Sequence, residues 1–62
     1  SAKHAAHVGP LDEDELFYLQ TRGLSRKEAA ELAVRAFFMP FIEKLPGKEL
    51  QQNLLEKVIS LI

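Results

Sequence analysis

From residue 11 onward the apolar positions of this chain recur at helical spacing, and no segment alternates with period two long enough to make a strand. The pattern predicts three helices. The first covers Leu11 to Thr21, with Asp12 as N-cap and Glu15 three residues later completing a capping box. Leu11 and Leu16 stand at the positions of a hydrophobic staple, and Gly23 after Arg22 is placed to close the helix in a left-handed cap. Leu16 and Leu19, with Phe17 beside them, supply its apolar contacts. A second helix opens at Ser25, an N-cap with Glu28 as its box partner, and carries Glu31 and Arg35 as an i,i+4 ion pair. Its apolar residues, from Ala29 through Leu45, cover most of its circumference. A helix of that kind belongs at the centre of a bundle or buries a second face against another protein. Pro40 removes an amide and clashes with the carbonyl of Ala36, so a kink or a complete break is expected there. After Leu45-Pro46-Gly47, a third helix runs from Lys48 to Ile62. Its stripe is Leu50, Leu54, Val58 and Leu61, widened by Leu55, Ile59 and Ile62. The fold class is therefore all-α, a small bundle of three helices. Residues 1–10, ending in Gly9-Pro10, lack a sustained period and read as an extended or disordered tail or linker, and residues 11–62 as the helical domain.

Composition narrows the functions open to such a domain. The chain has 62 residues and no cysteine, so it offers no disulfide, no thiolate metal site and no sulfur ligand for a cluster. Eight Lys/Arg against nine Asp/Glu leave no basic footprint for nucleic acid. The longest apolar stretch, Ala36 to Ile42, is far short of the ~20 residues of a membrane span, and no segment reads as a secretory leader. Apolar burial and the ordering of a chain this short nearly cancel, at roughly 90 kcal/mol each way, so stability depends on well-made helices or on a partner. The absence of an initiating Met before Ser1-Ala2-Lys3 fits a piece of a longer chain.

Candidate chemistry is sparse. His4 and His7 are three apart, a spacing that brings two imidazoles together on a helix, but two histidines leave a tetrahedral metal site incomplete. The run Asp12 to Glu15 lacks the spaced oxygens and turn glycine of a calcium loop, and the helix dipole accounts for it. Tyr18 and Ser25 have no evident base, so the domain is expected to be non-enzymatic. Leu24 to Ala33, with Arg22, Arg26 and Lys27 near its start, has the look of a helix-turn-helix, which leaves a DNA-binding module as one alternative. The most informative group is Phe37, Phe38, Met39, Phe41 and Ile42. Adjacent phenylalanines cannot share one helix face, so part of this set is expected to meet another molecule. A self-associating helical domain is a further alternative on the same grounds.

The segment His4 to Phe37 resembles the C-terminal region of the SufB/SufD family of iron–sulfur cluster assembly proteins. The residues that carry the likeness are Gly9, Leu11-Asp12-Glu13-Asp14, Leu16-Phe17-Tyr18-Leu19, Arg22-Gly23-Leu24, Ser25, Glu28-Ala29 and Phe37. His4, five residues before Gly9, is similar to the SufD branch in particular. His7, Pro10 and Pro40 depart from the family pattern. The resemblance implies that residues 1–10 are the remnant of an upstream β-helix scaffold and that residues 11–62 dock a SufC-like ABC ATPase and couple it to that scaffold. It implies the SufB/SufD-type scaffold as a second partner, reached through the upstream domain, and a bacterial cytoplasmic or plastid setting. It also implies an iron–sulfur cluster in the parent assembly, with His4 as a ligand there, and no cofactor on this fragment. The residues expected to dock the ATPase are Phe37, Phe38, Phe41 and Ile42, with Arg22 and Arg35 at the rim.

Overall fold

A computed structural model describes residues 9–62, so the expectations for residues 1–8, His4 and His7 included, lie outside the described residues. Three helices follow one another: α1 (Glu13–Thr21), α2 (Arg26–Ile42) and α3 (Lys48–Ser60). The described residues contain no strand. Both α1 and α3 pack on α2, and among the described residues they do not approach each other. The apolar circumference of α2 thus has the reason the sequence suggests, because α2 is the central helix with a neighbour on each of two flanks.

The α1–α2 hairpin is fixed by local chemistry at both ends of its turn. Asp12 caps α1 by accepting from the Asp14 amide at 3.0 Å, one residue earlier than the expected box, and Glu15 does not reach back to it. At the other end the Gly23 amide donates to the Gln20 carbonyl and the Leu24 amide to the Leu19 carbonyl, at 3.0 and 3.4 Å. That pair of bonds is a Schellman motif, and it requires the positive φ of 106° that Gly23 adopts. Leu19 and Leu24 lie against the core cluster, the apolar contact that accompanies such a cap. Ser25 then opens α2 with a reciprocal capping box: the Ser25 amide donates to Glu28 Oε1 at 2.8 Å, and the Glu28 amide to Ser25 Oγ at 3.0 Å. Between the helices Leu16 (1% exposed) sits on Ala29 and Ala33, whose small side chains let the backbones come close. Leu11 stays largely exposed, so the burial of Leu16 comes from these alanines rather than from a staple. Arg26 spans the hairpin with two bonds to Glu13, at 2.9 and 2.7 Å. It forms the one ion pair among the described residues, and the expected Glu31–Arg35 pair is not made.

The second half is held differently. α2 does not break at Pro40; it continues to Ile42 and closes with the Glu43 amide on the Met39 carbonyl at 2.9 Å. Pro40 and Ala36 lie on an exposed side of the helix, where water can replace the missing donor. The Lys44 and Leu45 amides then fold back on Phe41 and Ile42, tightening the last turn. Gly47, at φ 89°, leads into α3 without a side-chain cap. α3 is tied to this connection by the Gln51 side-chain amide, which donates to the Leu45 carbonyl at 2.9 Å. Val34 and Ile42 of α2 and Leu55 of α3 supply the buried apolar residues of this half. The expected stripe of α3 is corrected here: Leu55 is its buried residue, while Leu50, Leu54 and Leu61 remain 47%, 39% and 77% exposed.

Candidate docking surface

Successive residues of a helix turn by about 100°, and α2 uses that rotation to divide its aromatic run between inside and outside. Ile42 goes inward and is 1% exposed, so it contributes to the core and not to a surface. Phe38 and Met39 are half-buried. Phe37 and Phe41, one turn apart, face outward at 42% and 60% exposure. The three rings touch in sequence: Phe37 meets Phe38 edge-on with centroids 5.0 Å apart, and Phe41 follows at 6.3 Å from Phe37. Phe38 therefore braces Phe37 from the inside, and the outer two rings form a continuous aromatic edge beside Pro40. A shallow groove of about 350 Å³ continues this edge toward the start of α1, lined by Pro10, Asp12, Glu15, Ala33, Ala36 and Phe37.

The two expected rim arginines are not gathered at this edge. Arg35 precedes Phe37 by two residues, which places it on the far side of the helix. It lines a groove of about 240 Å³ with Gln52, Leu55 and Ile59 of α3 instead. Arg22 sits in the α1–α2 turn, at the opposite end of α2, with its guanidinium 5.8 Å from the centroid of the Tyr18 ring. Arg26, which the helix-turn-helix alternative would aim at DNA, is occupied by Glu13.

Other outward apolar residues are more evident in space than along the sequence. Phe17 and Tyr18 are 68% and 57% exposed, because Leu16 and Leu19 take the inward positions of α1. The four-residue run Leu16-Phe17-Tyr18-Leu19 carries that signal, since only the residues three apart share a face.

Three charged groups of the hairpin's structural devices are perturbed. The Arg26 guanidinium, hydrogen-bonded to Glu13, holds that carboxyl below its ordinary value, and Glu13 raises Arg26 in turn. Glu28 is lowered by the Ser25 amide and hydroxyl of the capping box. None of these groups lines the aromatic edge. Among the described residues no three His, Cys, Asp or Glu are gathered to hold a metal, and no helix is long and apolar enough to cross a membrane.

The described part of the chain is thus a small all-helical module whose outward-facing aromatics suit protein contact. The SUF system FeS cluster assembly, SufBD core domain family matches residues 1–37. The chain is 46% identical over 46 residues to the iron-sulfur cluster assembly protein SufB of Bacillus subtilis (strain 168). It is equally similar to iron-sulfur cluster assembly SufBD family proteins of Staphylococcus aureus (strain USA300) and Staphylococcus epidermidis, each match covering 74% of this chain and 10% of the relative. The chain belongs to the SufBD family. It spans about a tenth of the length of these curated relatives. No solved structure gives a significant match.

Proposed function

We propose that this chain is a non-enzymatic docking module of iron–sulfur cluster assembly, which receives a SufC-like ABC ATPase and passes its motion to a SufB/SufD-type scaffold. The observation that carries the reading is the aromatic edge of α2. Phe37 and Phe41 are 42% and 60% exposed on the central helix of a chain that belongs to the SufBD family. Exposed aromatics backed by half-buried Phe38 are rigid anchors of the sort that dominate protein interfaces. Because α2 is gripped by α1 on one flank and α3 on the other, force applied at this edge reaches the whole module.

The partner-binding residues under this reading are Phe37 and Phe41, with Phe38 as their support. Ile42 belongs to the core, and Arg22 and Arg35 lie away from the edge. The cluster is cargo of the larger assembly, and a ligating role for His4 belongs to the parent protein alone, as does a setting in bacterial cytoplasm. Assignment to the SufD branch rests on the spacing of His4 and Gly9, since one of the similar proteins is itself called SufB.

Calorimetric titration of the chain with a SufC-like ABC ATPase tests the reading. Binding in the micromolar range is expected. Phe41→Asp should weaken it at least tenfold, the usual cost of losing an interface anchor, with helicity unchanged. Absence of binding at tens of micromolar by the folded chain would reject the reading.

A further inference from the structure

The apolar stripe of α3 that faces away from α2 is a second surface, separate from the aromatic edge. Leu50, Leu54 and Leu61 lie within about 40° of arc on this helix and are 47%, 39% and 77% exposed. Half-buried Val58 joins the stripe to the face packed on α2. Along its other border run Glu49, Asn53 and Lys57, all exposed and each four residues from the next. Glu49 and Lys57 form no ion pair with any described residue.

We propose that this face of α3 pairs with the same face of a second copy of the chain, antiparallel and two-fold symmetric about Asn53. The charge pattern selects both the occupant and the direction. In an antiparallel two-fold pair each border runs beside the same border of the other copy, and residues equally distant from the axis on opposite sides meet. Glu49 and Lys57 stand four residues before and after Asn53, so Glu49 of each copy meets Lys57 of the other, twice per pair. A parallel two-fold pair would lay this border beside the Val58 side of the other copy and leave Glu49 and Lys57 without each other. The same axis interleaves Leu50 and Leu54 with their counterparts.

Leu61, the most exposed leucine, completes the fit at the ends. It lies eight residues beyond Asn53, which carries it past Lys48, the first residue of α3, in the second copy. There a shallow groove of about 380 Å³ opens between Pro46, Gly47 and Leu50. Knob and groove sit on the same surface on opposite sides of the axis, as a self-complementary interface needs. α3 is ~20 Å long, so a single helix pair belongs with the small, weak interfaces below ~1,200 Å². The association is accordingly expected only at high micromolar concentration.

Sedimentation equilibrium of the chain between about 10 µM and 1 mM tests this, the upper limit being the range of weak contacts. The wild type should pass from monomer toward dimer. Leu54→Asp should remain monomeric throughout. Glu49→Lys should weaken the dimer roughly tenfold by placing like charges at two contacts, and Glu49→Lys with Lys57→Glu should restore it to within about threefold. A wild type that stays monomeric at 1 mM, or a double exchange that fails to recover what Glu49→Lys lost, overturns the proposal. The charge exchange decides the matter even if Leu54→Asp proves unfolded by circular dichroism. Phe41→Asp should leave this dimer unchanged, so loss of ATPase docking and loss of self-pairing are separate results.

Discussion

The α1–α2 hairpin and the α2–α3 half share the central helix but are specified by different kinds of interaction. In the hairpin every end is closed by a named local device: the Asp12 cap, the Schellman turn at Gly23, the Ser25–Glu28 box and the Arg26–Glu13 fork. Its interior is the close contact of Leu16 with Ala29 and Ala33. The second half has a proline inside its helix, an uncapped start at Gly47 and a core of Val34, Ile42 and Leu55 that leaves three leucines of α3 outside. The SufBD core match ends at Phe37, close to where the capped hairpin gives way to the loosely tied half. The locally capped structure thus lies on the side of the match, while exposed large apolar residues occur on both sides of its end. The contrast teaches that local capping devices specify the hairpin, whereas the second half depends on the burial of a few apolar side chains.

The sharpest way to break that comparison is to remove a buried leucine from each half. Leu16→Ala should cost about 2–5 kcal/mol and abolish the cooperative unfolding transition of so small a chain, read by urea denaturation followed by circular dichroism. Leu55→Ala, at a site already 8% exposed, should instead loosen α3 while amide exchange in α1 and the first half of α2 stays protected. Equal global unfolding by both variants would show that the two halves are one unit.

Pro40→Ala comes next. It returns a donor to the Ala36 carbonyl and removes the ring clash, so stability should rise by ~1–3 kcal/mol. A neutral or negative effect in the same denaturation experiment would mean that the fixed φ of proline is what ends α2 two residues later.

Acid provides the smallest effect. Glu13 and Glu28 both hold their carboxyls below the ordinary value of 4.5 through bonds made only in the folded hairpin. A lowered folded value means that the charged groups favour the folded state at pH above the ordinary value, and that this contribution fades as pH falls through the lowered values. The melting temperature should therefore decline gently below pH 4.5. Both carboxylates are exposed, so the decline is modest, and Arg26→Ala should flatten part of it.

What could be read from the sequence divides along the same boundary. Three helices, the Ser25–Glu28 box and the Gly23 cap were legible because each depends on residues within one turn of each other. The central place of α2 was legible from its apolar circumference. Which of its apolar residues face outward was not, since that depends on where two neighbours settle: Ile42 is buried and Phe41, one residue earlier, is exposed. The stripe of α3 misled for a related reason. Its apolar arc spans about half the helix, so two shoulders compete. Gln51 looks polar along the sequence, yet its bond to the Leu45 carbonyl helps seat the Leu55 shoulder inward. The offset of Asp12 to the Asp14 amide and the long reach of Arg26 to Glu13 are tertiary and backbone details that residue spacing does not encode.

Amide chemical-shift mapping of the isotope-labelled chain during titration with a SufC-like ABC ATPase is the most direct test of the proposed docking at the aromatic edge of α2. The largest changes are expected on Ala36, Phe37 and Phe41, with Phe17, Tyr18 and the α3 leucines spared. Changes confined to α1 or to Leu50 and Leu54, with the amides of Phe37 and Phe41 unmoved, would contradict it.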